Sequence, residues 1–312
     1  MEQSWQVKCV IDTLKRGLPF QEHLRRFKDR VIGYQREPKK DAQTIQDGIR
    51  IIQWLGEIAG CKVLEIGTGW QPMIPILYSL AGASRIYTVD LHRLMRPETF
   101  AAALDAIREN RDQIADGIST TSDAVNWATR QCSDVAQRLE ELRITYLSPC
   151  DSRRLPLESG YIDIVTSRAV LEHIPPAVIG DIFAESRRVL RKGGVMLHLV
   201  DHSDHWSHRD RRINAVNFLQ YPDWLFRFTC INPQNYQNRL RHPEYIEMMR
   251  AAGFVPEREE KSIDSNCLSV LPQMRVAGKF VHFTHEDLAT TSSIVLARTS
   301  SACARTQTSN LN

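Results

Sequence analysis

Hydrophobic and polar positions alternate along this chain in two periods. The apolar run Val63-Leu64-Glu65-Ile66 is broken by Gly67 and Gly69, and helical spacing starts at Pro72 and continues to Leu80. Short β-branched runs ending in glycine read as buried strands, and proline is tolerated in a helix's first turn. The pattern therefore predicts a strand over Lys62–Ile66, a helix from about Gln71 to Ala81 and a second strand over Arg85–Asp90. Further strands are expected at Ile144–Leu147, Ile162–Ser167, Val195–Val200, Phe254–Arg258 and Ser292–Arg298. Helices are expected over Pro175–Leu190, with Gly193-Gly194 as its stop, and over Tyr245–Ala252.

Before the first strand, Val7, Val10, Ile11 and Leu14 recur at helical spacing, as do Ile45, Ile49, Ile52 and Leu55. The polar segment Arg36–Asp41 separates them and reads as a loop. Between Leu91 and Leu142 the apolar positions Phe100, Leu104, Ile107 and then Ala124, Trp127, Ala128, Val135, Leu139 predict two helices, divided by Gly117–Ser122, with Trp127 in the core. A His-, Arg- and aromatic-rich insertion follows His202, and residues 265–290 show no clear pattern. The Ser/Thr/Asn-rich tail reads as disordered. We read residues 1–60 as an N-terminal helical cap, 61–298 as one domain with helical insertions at about 92–143 and 203–240, and 299–312 as the tail.

Alternating strands and helices predict an α/β fold: a doubly wound, Rossmann-like, mostly parallel sheet. Such sheets bind ligands at the carboxyl ends of their strands. Glu65, Asp90, Asp151, Ser167 and Asp201 all fall at or near such ends.

The turn after the first strand narrows the ligand. A dinucleotide fingerprint needs a third glycine, where Pro72 stands, and a phosphate loop needs a Gly-Lys-Ser/Thr ending that is absent. What is left is E-x-G-x-G. The Glu65 carboxylate would repel pyrophosphate but not an ammonium or sulfonium. Asp90 lies about 20 residues on, where a ribose-binding carboxylate ends the second strand of such folds.

These segments resemble the class I S-adenosylmethionine-dependent methyltransferases (type 11-like). Val63–Gly69 is similar to their first motif and Ile86–Leu91 to their second. Cys150-Asp151-Ser152 with Arg154-Leu155-Pro156 resembles their adenine-contacting segment. Asp163–Arg168 followed by Leu171-Glu172-His173-Ile174 is similar to their fourth strand and its turn, and Arg191–Val195 to the entry into strand five. The resemblance spans roughly residues 50–202 and implies seven strands, the last one antiparallel. It departs at Gln71, where many members carry a third glycine. It implies S-adenosyl-L-methionine as cofactor, held by Glu65, Gly67, Thr68, Gly69, Asp90, Leu91, Asp151, Ser152 and Ser167. Asp90 would accept from the ribose hydroxyls and Asp151 from the adenine amino group.

Methyl transfer from a sulfonium needs attack geometry and, for a hydroxyl acceptor, a base. His202, just past the fifth strand, is the candidate base, with Asp201 or Asp204 orienting it; His173 is a second candidate. A metal on His202, Asp204 and His205 or His208 suits the ligand types, but the spacing matches no recognised site, and none is expected. Arg239 and Arg241 could clamp a carboxylate or phosphate, or form surface ion pairs. Trp206, Phe218, Tyr221, Trp224, Phe226 and Phe228 could stack on an acceptor or pack a cap.

Composition adds limits. Forty basic against 37 acidic side chains give +3, too balanced to favour a nucleic-acid acceptor. A small molecule or glycan methylated at oxygen is the expected acceptor, and a homodimer is left open. The seven cysteines are scattered with no C-x-x-C pair, which suits a reducing compartment. With no signal-like N-terminus and no apolar run of membrane-spanning length, a cytoplasmic protein is expected. An NAD-type oxidoreductase and a non-catalytic cofactor-binding protein are the competing readings.

Overall fold

The computed structural model describes residues 4–9, 36–230 and 236–300. The expected repeat at Val10, Ile11 and Leu14, and the tail beyond Ser300, lie outside them. Helix α1 spans Pro38–Leu55, and Ile45, Ile49 and Ile52 on its inner face are buried. Of the loop expected at Arg36–Asp41, Arg36 and Glu37 do precede the helix, while Pro38–Asp41 form its first turn. Pro38 stands where no N–H is needed, and Arg36 Nε holds the buried Asp41 carboxylate at 2.9 Å.

Strand β1 (Lys62–Ile66) leads through the glycine turn to α2 (Met73–Leu80), and β2 is Arg85–Val89. The crossover to β3 (Ile144–Leu147) holds four short helices rather than two: α3 Pro97–Glu109, α4 Arg111–Gly117, α5 Ser122–Ala128 and α6 Val135–Glu141. Side-chain caps start the last two. Thr121 accepts from the Ala124 N–H, and Asp134 from those of Ala136 and Gln137. Trp127 is 46% exposed, not core. A helix this short buries only one stripe, here Val125 and Ala128, and the Trp127 ring lies outside it under the Arg130 and Arg138 guanidinium groups.

Strand β4 (Ile162–Arg168) is followed by α7 (Pro176–Val189) and β5 (Leu190–Asp201). The glycine pair expected to stop α7 lies within β5, where the β4–β5 register jumps from Ile162↔Leu190 to Ile164↔Val195. Helix α8 (Asp223–Phe226) belongs to the insertion; α9 (His242–Ala251), β6 (Phe254–Ile263), α10 (Ser265–Val270), α11 (His285–Ala289) and β7 (Thr290–Thr299) complete the chain. The sheet order is β3-β2-β1-β4-β5-β7-β6, with β7 antiparallel to both neighbours and the other pairs parallel. This is the doubly wound, mostly parallel, seven-stranded Rossmann-like sheet.

Alternation along the strands divides the core. Val63, Ile86, Ile164 and Leu197 pack towards α1 and α2, whereas Leu64, Val165, Met196 and Val200 pack towards α7 and α9. A third cluster, including Phe218, Phe226, Phe280 and Leu288, joins the insertion to the segment between β6 and β7. Trp206 packs with Trp5 and Cys9, and the Trp5 N–H donates to Asp210 at 2.7 Å, so residues 4–9 dock on the insertion.

Candidate active site

The turn after β1 is built by backbone conformation. Gly67 and Gly69 take φ of +84° and +67°, a region costly for side chains with a Cβ. A Cβ on Gly67 would lie 2.4 Å from Val170 Cγ2, while one on Gly69 would meet nothing within 4 Å. The first glycine thus lets the β4 loop close in, and the second leaves open space. The Gly69 N–H donates to Asp90 Oδ2 at 2.8 Å, tying the turn to the end of β2. Asp90 Oδ1 has only a long contact, 3.3 Å, with the His92 N–H.

Glu65 points beneath this turn and is buried. Thr88 Oγ1 donates to its carboxylate at 2.5 Å, so the 2.5 Å contact between the two hydroxyls runs from Thr68 to Thr88. Burial pushes the Glu65 carboxyl up to about 8, only partly offset by the Thr88 bond. Asp151 lies beyond β3 and pairs with Arg153 at 2.7 Å; that bond holds its carboxyl below the usual range. Leu91 is exposed, and Ser152 follows in the Asp151 turn. Ser167 departs from expectation. Its hydroxyl is buried in the sheet face beneath α7, 2.7 Å from His198 Nδ1, so it offers no side-chain group at the strand end.

The histidine reading also changes. His202 is buried, with Nδ1 3.1 Å from the Leu240 carbonyl and Nε2 2.8 Å from Ser293 Oγ. A carbonyl only accepts, so Nδ1 carries the hydrogen and Nε2 accepts from the serine. Both nitrogens are consumed. Burial, reinforced by Arg241, pushes its pKa down to about 3. This removes His202 as the base. Asp204 is buried too, accepting from the Trp206 N–H and from Asn217, so the metal set built on His202 and Asp204 is not assembled.

Arg239 and Arg241 are neither surface ion pairs nor anion clamps. Arg239 is buried, donates to the Phe218 and Tyr221 carbonyls and pairs with Asp223. Arg241 is buried against the carbonyls of His202, Leu288 and Thr290. Burial lowers its pKa to about 10. Of the aromatics, Phe218 and Phe226 are core, whereas Trp224 and Phe228 are exposed.

What the carboxyl edge does bring together is Glu172, His173, Asp201, His205 and His208. Glu172 and His173 lie in the turn after β4, Asp201 ends β5, and the parallel register puts both strand ends on one side. The His173 and His205 rings lie 5.0 Å apart, and His205 stacks on His208 at 5.6 Å. His173 Nδ1 lies 2.9 Å from the Tyr236 carbonyl, so it carries the hydrogen and Nε2 keeps its lone pair on an exposed ring. Asp201 Oδ1 accepts from the Ser203 hydroxyl at 2.6 Å. His205 Nε2 lies 3.3 Å from Asp201 Oδ2, at ion-pair distance but outside hydrogen-bond alignment. The His205 and Ser203 contacts outweigh burial and hold the Asp201 carboxyl down at about 2. Glu172 is the opposite case: burial, then Asp201, pushes its carboxyl well above the usual range.

Sequence reasoning named His173 and Asp201 but left Glu172 as part of a motif and His205 in a discarded metal set. The only signal was histidine density after β5. A shallow depression whose lining includes Arg154, Leu155, Glu158, Glu185 and Arg188 holds none of these groups, and its Glu185 carboxylate is already paired with Arg188 at 2.7 Å.

Sheet order and the glycine turn define a doubly wound α/β protein with a tight turn at the carboxyl end of β1. Residues 104–198 match the family model described as a methyltransferase domain. That match begins after the glycine turn, takes in Glu172 and His173 after β4, and ends within β5 before Asp201. This match agrees with the S-adenosylmethionine-dependent methyltransferase reading of the sequence, with S-adenosylmethionine as the cofactor that reading implies. Among solved structures, the chain is similar to an S-adenosylmethionine-dependent methyltransferase from Mesorhizobium loti. The two are 14% identical over 81% of this chain and 96% of that one, with a TM-score of 0.47. It is also similar to geranyl diphosphate C-methyltransferase from Streptomyces coelicolor, solved with Mg2+, geranyl diphosphate and S-adenosyl-L-homocysteine. Here the identity is 15%, the coverage 84% of each chain and the TM-score 0.47. No curated protein matches the chain. No helix among the described residues is long and apolar enough to cross a membrane.

Proposed function

We propose that the chain transfers the methyl group of S-adenosylmethionine to a hydroxyl of a small molecule or glycan, in the cytoplasm. The observation that carries this is the junction at the carboxyl edge. The open side of Gly69 and the tied Asp90 carboxylate lie on the same strand-end edge as the His173–His205–Asp201 cluster, and Val170, from the segment after β4, packs against Gly67.

The residues present fit the cofactor. Gly69 leaves open space, Asp90 Oδ1 is free enough to accept from a ribose hydroxyl, and Glu65 lies below as a buried acid. Its pKa of about 8 would fall beside a cationic ligand. Gly67, Thr68 and Leu91 complete the turn, and Asp151 with Ser152 stands beyond β3 for the adenine. Ser167 can take part only through its backbone. Bound there, S-adenosylmethionine supplies an activated methyl group. The chain's own work is to orient the acceptor and handle its proton, and His173 and His205, with Asp201, take the part first given to His202. The scattered thiols, of which Cys9, Cys61, Cys132, Cys150 and Cys267 are free of disulfides, suit a reducing cytoplasm.

Calorimetric titration with S-adenosylmethionine, S-adenosylhomocysteine and NADH tests the cradle. Micromolar binding of both sulfur ligands without NADH is expected, weakened roughly 10- to 100-fold by Asp90→Ala. Unchanged affinity in that variant would remove the ribose assignment. A screen of hydroxyl, amine and carbon acceptors then reads the acceptor atom.

A further inference from the structure

Glu172 has no part yet that accounts for its burial. It is 2% exposed, and neither carboxylate oxygen makes a hydrogen bond of ordinary geometry. The backbone N–H groups of Glu172 itself and of Asp201 lie near enough to favour its charged form, but not as aligned donors. A buried carboxyl group left without hydrogen-bond partners is costly in either protonation state. Folds keep such a group where something else completes it.

The completing group is indicated by what surrounds it. Glu172, His173 and His205 each offer one ligand atom, and these atoms all lie within 4.8 Å of one another. Three ligands at about 2.0–2.2 Å from one tetrahedral ion stand about 3.3–3.6 Å apart, so side-chain rotation must bring the set together by up to about 1.4 Å on binding. His173 already donates from Nδ1 to the Tyr236 carbonyl, which fixes the tautomer that presents Nε2. This is the outer support that metal-bound histidines generally have. His205 is backed by Asp201 at 3.3 Å and by the His208 ring.

We infer that Glu172, His173 and His205 bind one divalent transition-metal ion at the carboxyl edge, beside the cofactor cradle. Two imidazoles and one carboxylate suit manganese, iron, cobalt or zinc rather than calcium or magnesium, which prefer oxygen sets. Three protein ligands leave positions open to the exposed side of His173, where an acceptor can approach. The inference rests on the methyl-transfer reading only for the ion's use. With the ion held, His173 and His205 would act on the acceptor's proton through it rather than as free bases: the hydroxyl would be acidified and would lose its proton to water, with the O–H electrons staying on oxygen. That oxygen forms the new bond to the methyl carbon while the S–C pair returns to sulfur.

The test is chelator-stripped full chain titrated with MnCl2, and separately with CoCl2 while visible absorption is followed. One ion per chain is expected, with a cobalt spectrum showing nitrogen ligation. Glu172→Gln and His205→Ala should each weaken binding at least 10-fold, with S-adenosylmethionine affinity within about twofold of wild type. His205 is part-exposed, so its variant keeps the test open if Glu172→Gln does not fold. Absence of binding at millimolar MnCl2, or equal binding by His205→Ala, overturns the inference. Methyl transfer undiminished in chelator would also overturn the ion's proposed use while leaving the methyltransferase reading intact. Metal binding without S-adenosylmethionine binding would sustain the site and overturn that reading instead.

Discussion

His202 and His205 stand three positions apart after the same strand, yet they belong to opposite regions. His202 is closed in by Leu240, Ser293 and Arg241, with both ring nitrogens spent inside the fold. His205 sits at a part-exposed edge, facing Asp201 and His173, with no hydrogen bond of ordinary geometry at its buried Nε2. Strand β7 and the Leu240–Arg241 segment cover the first region, whereas in the second His173 keeps an exposed face beside His205. The comparison teaches that a histidine's chemistry is set by which of its nitrogens the fold has already used.

Turnover breaks the comparison most sharply. His205→Ala should slow methyl transfer by roughly 10²–10⁴-fold, the usual worth of a proton-handling group. His202→Ala, compared at a temperature where both variants are folded, should stay within about threefold of wild type. If the two variants fell together, the assignment of regions would be wrong.

Stability should reverse the order. Arg241→Leu leaves the carbonyls of His202, Leu288 and Thr290 without their buried donor. A loss of about 3 kcal/mol or more is expected in urea unfolding. A loss under about 1 kcal/mol would mean that water replaces the guanidinium and the region is not closed. His202→Ala should cost about 2 kcal/mol by orphaning Ser293 and Leu240, whereas His205→Ala should stay within about 0.5 kcal/mol, as exposed positions usually do.

The smallest effect is in pH. Burial holds His198 and His202 near a pKa of about 3, below the ordinary imidazole value of 6.5. Between those values the unfolded chain binds protons that the folded chain refuses. Stability from these groups is therefore full above pH 6.5 and falls as pH drops towards 3, by at most about 1.4 kcal/mol per pH unit for each histidine. His202→Gln should flatten the profile between pH 6.5 and 5 relative to wild type. Identical slopes would show that the ring takes up its proton without unfolding.

Much of the frame was legible in advance because it rests on local order. Lys62–Ile66 and Ile144–Leu147 agree with the expected strands residue for residue, since runs of buried residues ending at glycine or a turn signal are short-range features. Gly67, Gly69 and Asp90 were legible for the same reason: strand, turn and acid sit at fixed spacings. The Arg36–Asp41 segment was misread because its polar residues hide a helix start, and Trp127 because spacing cannot show how wide a buried stripe will be. Arg239 and Arg241 were misread because the carbonyls they serve come from residues 18 to 49 positions away in sequence.

The sequence by itself determined the order of strands and helices, the glycine turn and the acids at the strand ends, all set by neighbouring residues. Only the tertiary structure decided which histidine is shut away and which is open, and that a carboxylate from the turn after β4 meets an imidazole from beyond β5. The reason is physical. Burial and hydrogen-bond partnership depend on what packs across the sheet, and here that is β7 and the Leu240–Arg241 segment, remote in sequence from the groups they cover.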